Sequence, residues 1–323
     1  MLGRQISLDG LTREDLDAVK QRTAGLSVVS NTALVLMKLV VGFAIGSVSI
    51  ISEAIHSGMD LVAAVIAFFA VRRSSLPPDD CHAFGHGKYE AFSGLIEALL
   101  ILIAAALIIR EAVGTLLGEG AETLSPDLLV AGIAVMGISA VVNWLVSSRL
   151  MAVAKKTESI ALESDAWHLR TDVYTSLGVL AGLVLIRLTG IVALDALVAI
   201  GVALVIVRAA IDLTRRSLAD LTDRRLTDEE EERVRRIICE HASSYAGFHN
   251  LRTRRSGPDV HIDFHLVVAR GVPVEQAHDL TDHLESDLRL EFPRASINIH
   301  IEPCDEACSE CASFCPVAKE SGQ

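Results

Sequence analysis

Aromatic side chains are scarce in this 323-residue chain: nine Phe, three Tyr and two Trp make only 4% of it, although 51% of its residues are hydrophobic. The apolar content is therefore mostly Ala, Val, Leu and Ile. With a positive mean hydropathy, this composition describes a membrane protein rather than one large soluble core. Basic excess is also missing. A formal charge of −12 excludes a general nucleic-acid binder, which must neutralise phosphates with Lys and Arg. Nor is there a disulfide framework: of six cysteines, four crowd into the last twenty residues, apart from Cys81 and Cys239. Clustered thiols of that kind suit metal in a reducing compartment. The first 25 residues are polar and lack an apolar core, so no cleavable signal peptide is expected.

What the chain does have is length in its apolar runs. Six segments of spanning length are expected at about 26–48, 50–73, 89–117, 127–150, 157–187 and 192–214. They form a transmembrane domain over 26–216, preceded by an amphipathic or irregular arm over 1–25. Lys and Arg gather before the first span (Arg4, Arg13, Lys20, Arg22), in the second and fourth connections (Arg72, Arg73, Lys88; Arg149, Lys155, Lys156) and after the sixth span (Arg215, Arg216). The connections at 46–49 and 118–126 have none, and the fifth has only Arg187. The positive-inside rule then puts both termini in the cytoplasm. Residues 217–303 read as a cytosolic α+β domain. Thr227 followed by Asp228–Glu231 caps a helix, strands are expected near 247–255, 260–266 and 296–302, and a helix follows Pro273. The order αββαβ suggests two layers, with helices on one sheet face. Alternation places His261, Asp263 and His265 opposite Val260, Ile262, Phe264 and Leu266, and His300 and Glu302 opposite Ile297, Ile299 and Ile301.

The residues that carry chemistry come in matched pairs. His56 is followed four positions later by Asp60, and His168 by Asp172. On a helix, such residues share a face. Two of these helices packed together present His₂Asp₂, a tetrahedral set for a divalent metal. Ionisable groups inside a membrane are costly, about 2.5 kcal/mol or more each, so two matching pairs point to a site rather than to chance. Glu53 and Asp165 lie one turn before each His and read as mouth-lining or solvated groups. The connection Pro77-Pro-Asp-Asp-Cys-His-Ala-Phe-Gly-His-Gly-Lys88 is a polar loop that holds Asp79, Asp80, Cys81, His82 and His86 within eight residues.

These stretches together resemble the cation diffusion facilitator family, and most of all its bacterial zinc/iron efflux-pump branch. The resemblance rests on the paired spans, on Asp79-Asp-Cys-His-Ala-Phe-Gly-His-Gly-Lys-Tyr-Glu90, on Leu221-Thr-Asp-Arg224, on His249-Asn-Leu-Arg-Thr-Arg-Arg-Ser-Gly257 and on His300-Ile-Glu-Pro-Cys304, and it covers about residues 25–304. It implies a homodimeric, proton-coupled metal efflux antiporter, with six transmembrane helices and a metallochaperone-like cytosolic domain. His56, Asp60, His168 and Asp172 would be the transport site. Asp79, His82 and His86 would form a loop site, and His249, His265, His278, His300 and Glu302 a cytosolic dimer-interface site. Lys88 and Asp223 would pair between subunits. His56 stands where that branch usually has Asp, which leans the cargo toward Zn²⁺, since imidazole suits zinc better than hard cations; Fe²⁺, Cd²⁺ and Mn²⁺ are the other metals in view. Glu302 stands where Asp is usual.

The tail departs from the family. Cys304-x₃-Cys308-x₂-Cys311-x₃-Cys315, over residues 304–323, offers four thiolates for a Zn–S₄ site or, less well, an iron–sulfur cluster. Cys239, His241 and His283 read as surface or packing residues. The functional expectation is a secondary transporter in the bacterial inner membrane, in which protons and metal compete for the same ligands. The alternatives are a membrane metal sensor without transport and an intramembrane metalloenzyme. The latter finds no His-Glu-x-x-His motif to support it.

Overall fold

The computed structural model describes residues 13–45, 48–117, 126–189 and 193–304. The segments 46–47, 118–125 and 190–192 fall outside the described residues, as does the tail beyond Cys304, with Cys308, Cys311 and Cys315. The chain divides into two units, Met1–Leu218 and Ala219–Gln323.

Six long helices build the first unit: α1 (Arg13–Ile45), α2 (Val48–Ser74), α3 (Lys88–Leu116), α4 (Pro126–Thr157), α5 (Ile160–Thr189) and α6 (Ala193–Leu221), the last running three residues past the division. Over the described residues, five of them are long and apolar enough to cross a membrane. Helix α5 carries Glu163, Asp165, His168, Arg170 and Asp172 along its first half. The first helix starts at Arg13, well before the expected span, so the second half of the N-terminal arm is helical. The physical reason is Lys20, fully buried and bonded through Nζ to Glu90 Oε1 at 2.8 Å.

Polarity in this unit is arranged as a bilayer demands. Val29, Leu36, Val40, Phe43, Ile103 and Leu204 are exposed, whereas Lys20, Lys38, Asp60, Glu90, Glu97 and Asp165 are buried. In water such a surface would be an aggregation hazard; in lipid it is the solvated face. Small residues let the helices close up. Ala63, Ala64 and Ala67 on α2 and Ala161 and Ala166 on α5 are wholly buried. At Gly94 on α3, an added Cβ would lie 2.7 Å from Ile160 Cγ2 and 2.8 Å from Ser217 Oγ. Helix α1 packs on α2 and α4, α5 packs on α3 and α4, and α2 on both α3 and α5. Where α2 meets α5, His168 comes within hydrogen-bond distance of Asp60.

The second unit has the order α7 (Asp228–Glu240), β1 (Gly247–Ser256), β2 (Asp259–Val268), α8 (Val274–Glu291), β3 (Ala295–Pro303), as its αββαβ pattern implied. Strand β2 is central, antiparallel to β1 and parallel to β3. Thr227 caps α7 through a reciprocal box with Glu230. One face of the sheet carries Val260, Ile262, Phe264, Leu266 and Val268 into a core with Val234 and Ile238 of α7 and Leu284 and Leu288 of α8. Burial of each such side chain contributes about 1.5–3 kcal/mol. The other face carries the histidines. In β1 the register shifts between His249 and Arg252, and Asn250 there takes a positive φ of 56°, which lets His249 stay opposite His265.

Candidate metal centres

Helix α2 presents His56 and Asp60 one turn apart, and α5 presents His168 and Asp172 likewise. Donor atoms of His56, Asp60 and Asp172 all lie within 4.8 Å of one another. A tetrahedral zinc site would space its ligand atoms roughly 3.4 Å apart, so only side-chain movements separate this arrangement from a closed one. His168 is not a fourth member of that group. Its Nε2 instead lies 3.0 Å from Asp60 Oδ1, and its Nδ1 is buried without a hydrogen-bond partner. The four-ligand set expected from spacing is thus present as three gathered donors with the second His backing Asp60. Asn143 on α4 donates Nδ2–H to Asp172 Oδ2 at 3.2 Å, and so orients that carboxylate. A cavity of about 200 Å³ opens over the cluster, lined among others by Lys38, His56, Asp60, Asn143 and Asp172.

Asp165 does not line a mouth. It is 1% exposed, and both carboxylate oxygens lack a hydrogen-bond partner, as does Oε2 of the wholly buried Glu97 on α3. One turn before His168, Asp165 faces the bundle interior because α3 packs against α5. The side chain of Glu53 falls outside the described residues. Spacing also did not point to Asn143, Lys38, Glu90 or Glu97. An ionisable residue inside an apolar run is itself the signal that would have found the last three.

The loop between α2 and α3 gathers Asp79, His82 and His86. Asp79 Oδ1 accepts from the backbone N–H groups of His82 at 2.7 Å and Cys81 at 3.0 Å, a local turn that fixes the carboxylate. Those donors, the His82 N–H above all, hold the Asp79 carboxyl below its usual range. His86 is 2% exposed, its ring nitrogens lack hydrogen-bond partners, and Nε2 lies 3.2 Å from Asp79 Oδ2. The His82 and His86 rings stand 4.4 Å apart. A buried imidazole with both nitrogens unsatisfied beside an ionised carboxylate is suited to a soft divalent ion. Asp80 and Cys81 are exposed and stay outside this group.

On the cytosolic sheet, the row His249–His265–His300 crosses all three strands in register. Glu302 closes the cluster, with Oε1 2.8 Å from His265 Nδ1 and Oε2 3.3 Å from His249 Nε2. His249, His265 and Glu302 form a donor group, while His300 sits at its border with Nε2 3.6 Å from Glu302 Oε1. His278 is not brought to it. It lies on α8, exposed, with Nδ1 3.8 Å from Asp282 Oδ1, because α8 covers the opposite, apolar face of the sheet. Asp223 is bonded within its own unit to Arg254 Nη1 at 3.1 Å. His241 serves packing: its Nε2 lies 2.8 Å from Asp287 Oδ2, tying α7 to α8. Cys81 and Cys304 are free thiols.

Long helices around a His/Asp cluster that lines a cavity, followed by an α+β domain with a His/Glu cluster of its own, define a multi-pass membrane cation transporter. The comparisons make this specific. Residues 25–222 match the cation efflux transmembrane domain, and residues 226–304 the cytoplasmic domain of cation efflux proteins. A cation-efflux pump FieF from Pectobacterium atrosepticum is 34% identical over 289 residues, covering 87% of this chain and 93% of the relative. An uncharacterized transporter, sll1263, from Synechocystis is 31% identical over 283 residues, covering 88% and 90%. A solved zinc-form structure of CzrB is 44% identical over 26% of this chain and 96% of its own, at a TM-score of 0.25. The chain belongs to the cation efflux family, the cation diffusion facilitators. It is a transporter rather than an enzyme, and its cytoplasmic domain is of the family's dimerising kind.

Proposed function

We propose that the chain is a proton-coupled efflux antiporter for a divalent metal, with Zn²⁺ the preferred cargo. It would lie in the bacterial inner membrane with both termini in the cytoplasm, as the Lys/Arg bias of its loops argues. The observation that carries the reading is the convergence of His56 and Asp60 from α2 with Asp172 from α5 on one cavity inside the membrane unit. In the closed form His168 turns from Asp60 to the metal and completes His₂Asp₂. Ligand atoms must be deprotonated to bind, so protons and metal compete for the imidazoles. Rocking of the helices then exposes the cluster to one side at a time, and an acidic exterior releases the metal.

Two further metal sites support a regulated dimer in this reading: Asp79, His82 and His86 in the loop, and His249, His265 and Glu302 in the cytosolic domain, with His300 in reserve. Bound metal there would favour a transport-competent arrangement by binding it more tightly. Lys88 and Asp223 would pair between subunits, with Arg254 sharing the Asp223 carboxylate. The tail thiols Cys304, Cys308, Cys311 and Cys315 would bind Zn²⁺ in preference to an iron–sulfur cluster. The deciding experiment is Zn²⁺ flux into proteoliposomes under a pH gradient. Asp60→Ala and Asp172→Ala are each expected to abolish it, and flux equal to the parent's would remove the site.

A further inference from the structure

A lysine in the middle of a membrane helix requires a physical reason, since its insertion is costly. Lys38 sits in the apolar run Leu34–Val41 of α1 and is 4% exposed. Its Nζ donates to Ser57 Oγ at 2.6 Å. Ser57 follows His56 directly and precedes Asp60 by three residues, so the bond ends beside both ligands. Lys38, Ser57, His56, Asp60 and Asp172 line one cavity. A tethered cation therefore shares about 200 Å³ with the place where a mobile dication is to bind.

Resting on the reading of this cavity as the transport site, we propose that Lys38 is the release device of the transporter. With the cavity free of metal, the ammonium balances the Asp60 and Asp172 carboxylates. With M²⁺ bound, the same charge repels it at short range, where screening is weak. Binding is thereby kept weak enough for the metal to leave, a condition that any conducting or carrying site must meet. The four-carbon stem and three rotatable donors of lysine suit this, because Nζ can turn between Ser57 and a carboxylate without backbone movement. A neutral side chain could supply a hydrogen bond to Ser57 as α1–α2 glue, but not the repulsion, and this difference is what the test measures.

Zn²⁺ flux in proteoliposomes of the full chain gives KM and kcat separately. Lys38→Met should lower KM roughly tenfold or more and also lower kcat, since the like charge is gone and release slows. Lys38→Arg, which restores the charge, should bring KM back toward the parent. A merely structural lysine would do the opposite on removal and raise KM. An unchanged or raised KM in a Lys38→Met protein that elutes as a folded dimer overturns the proposal. If that variant does not fold, Ser57→Ala serves instead: it frees the ammonium to engage the carboxylates and should raise KM severalfold, and an unchanged KM overturns the proposal equally. The two readings fail separately. Parent flux that survives Asp60→Ala sinks the transport site itself, whereas Asp60-dependent flux with KM unmoved in Lys38→Met sinks only the release role.

Discussion

Glu90, wholly buried in the first turn of α3, accepts from Lys20 Nζ and Ser74 Oγ on one oxygen, each at 2.8 Å, and from Ser159 Oγ on the other. One carboxylate thus joins α1, the end of α2, the start of α3 and the α4–α5 turn. Asp17 lies 3.5 Å from the same ammonium. Such a node is stable only when complete, because the carboxylate alone would be an uncompensated buried charge. Lys20→Met should cost about 3–5 kcal/mol, and Lys20→Met/Glu90→Gln distinctly less. Thermal unfolding of the purified protein in detergent measures both. A Lys20→Met protein as stable as the parent would mean the pair contributes nothing net.

Strand β2 shows how an element can keep its pattern and still surprise. Its alternation is as expected, with Phe264 and its neighbours inward and the histidines on the far face. Yet His261, on that polar face, is 6% exposed, and its Nε2 has no hydrogen-bond partner. Burial, aided by the positive charge of Arg254 opposite it on β1, holds the imidazole below its usual value. The unfolded chain then takes up a proton first as pH falls. The stabilisation is complete above the ordinary imidazole value of about 6.5 and is lost between there and the lower folded value. With chelator present, the parent should lose more thermal stability between about pH 7.5 and 5.5 than His261→Gln does. Equal losses would show that His261 does not titrate on unfolding. On α7 the Thr227–Glu230 box is complete, and burial alone would raise the Glu230 carboxyl. The Thr227 N–H and the Arg255 guanidinium outweigh it and hold the group low.

At the scale of the whole molecule, the described residues include three separate clusters that could hold a metal ion, one inside the membrane unit, one in a connecting loop and one on the cytosolic sheet. In the cytosolic one, strand register sets His249, His265 and His300 opposite one another. His265 is central to it, and His278 stands apart on the other side of the sheet. Zn²⁺ at a hundredfold excess over its Kd should stabilise the protein by about 2.7 kcal/mol per site. In the full chain, His265→Ala should remove one such increment, whereas His278→Ala should leave most of it. An equal loss from His278→Ala would show that the partner subunit brings that residue to the site.

The sequence by itself determined the element order, the helix and strand faces, and the two His-x₃-Asp pairs, because these follow from periodicity and from what lipid tolerates. It also put Asp79, His82 and His86 in one short loop, whose prolines and glycines favour the turns that bring them together. Only the tertiary structure decided that His168 backs Asp60, that Asp165 and Glu97 are buried, that Lys38 enters the metal cavity, and that His278 is left outside the cytosolic cluster. Each of those depends on which helix or sheet face packs against which, a choice made by contacts between residues far apart in the chain that no local spacing records.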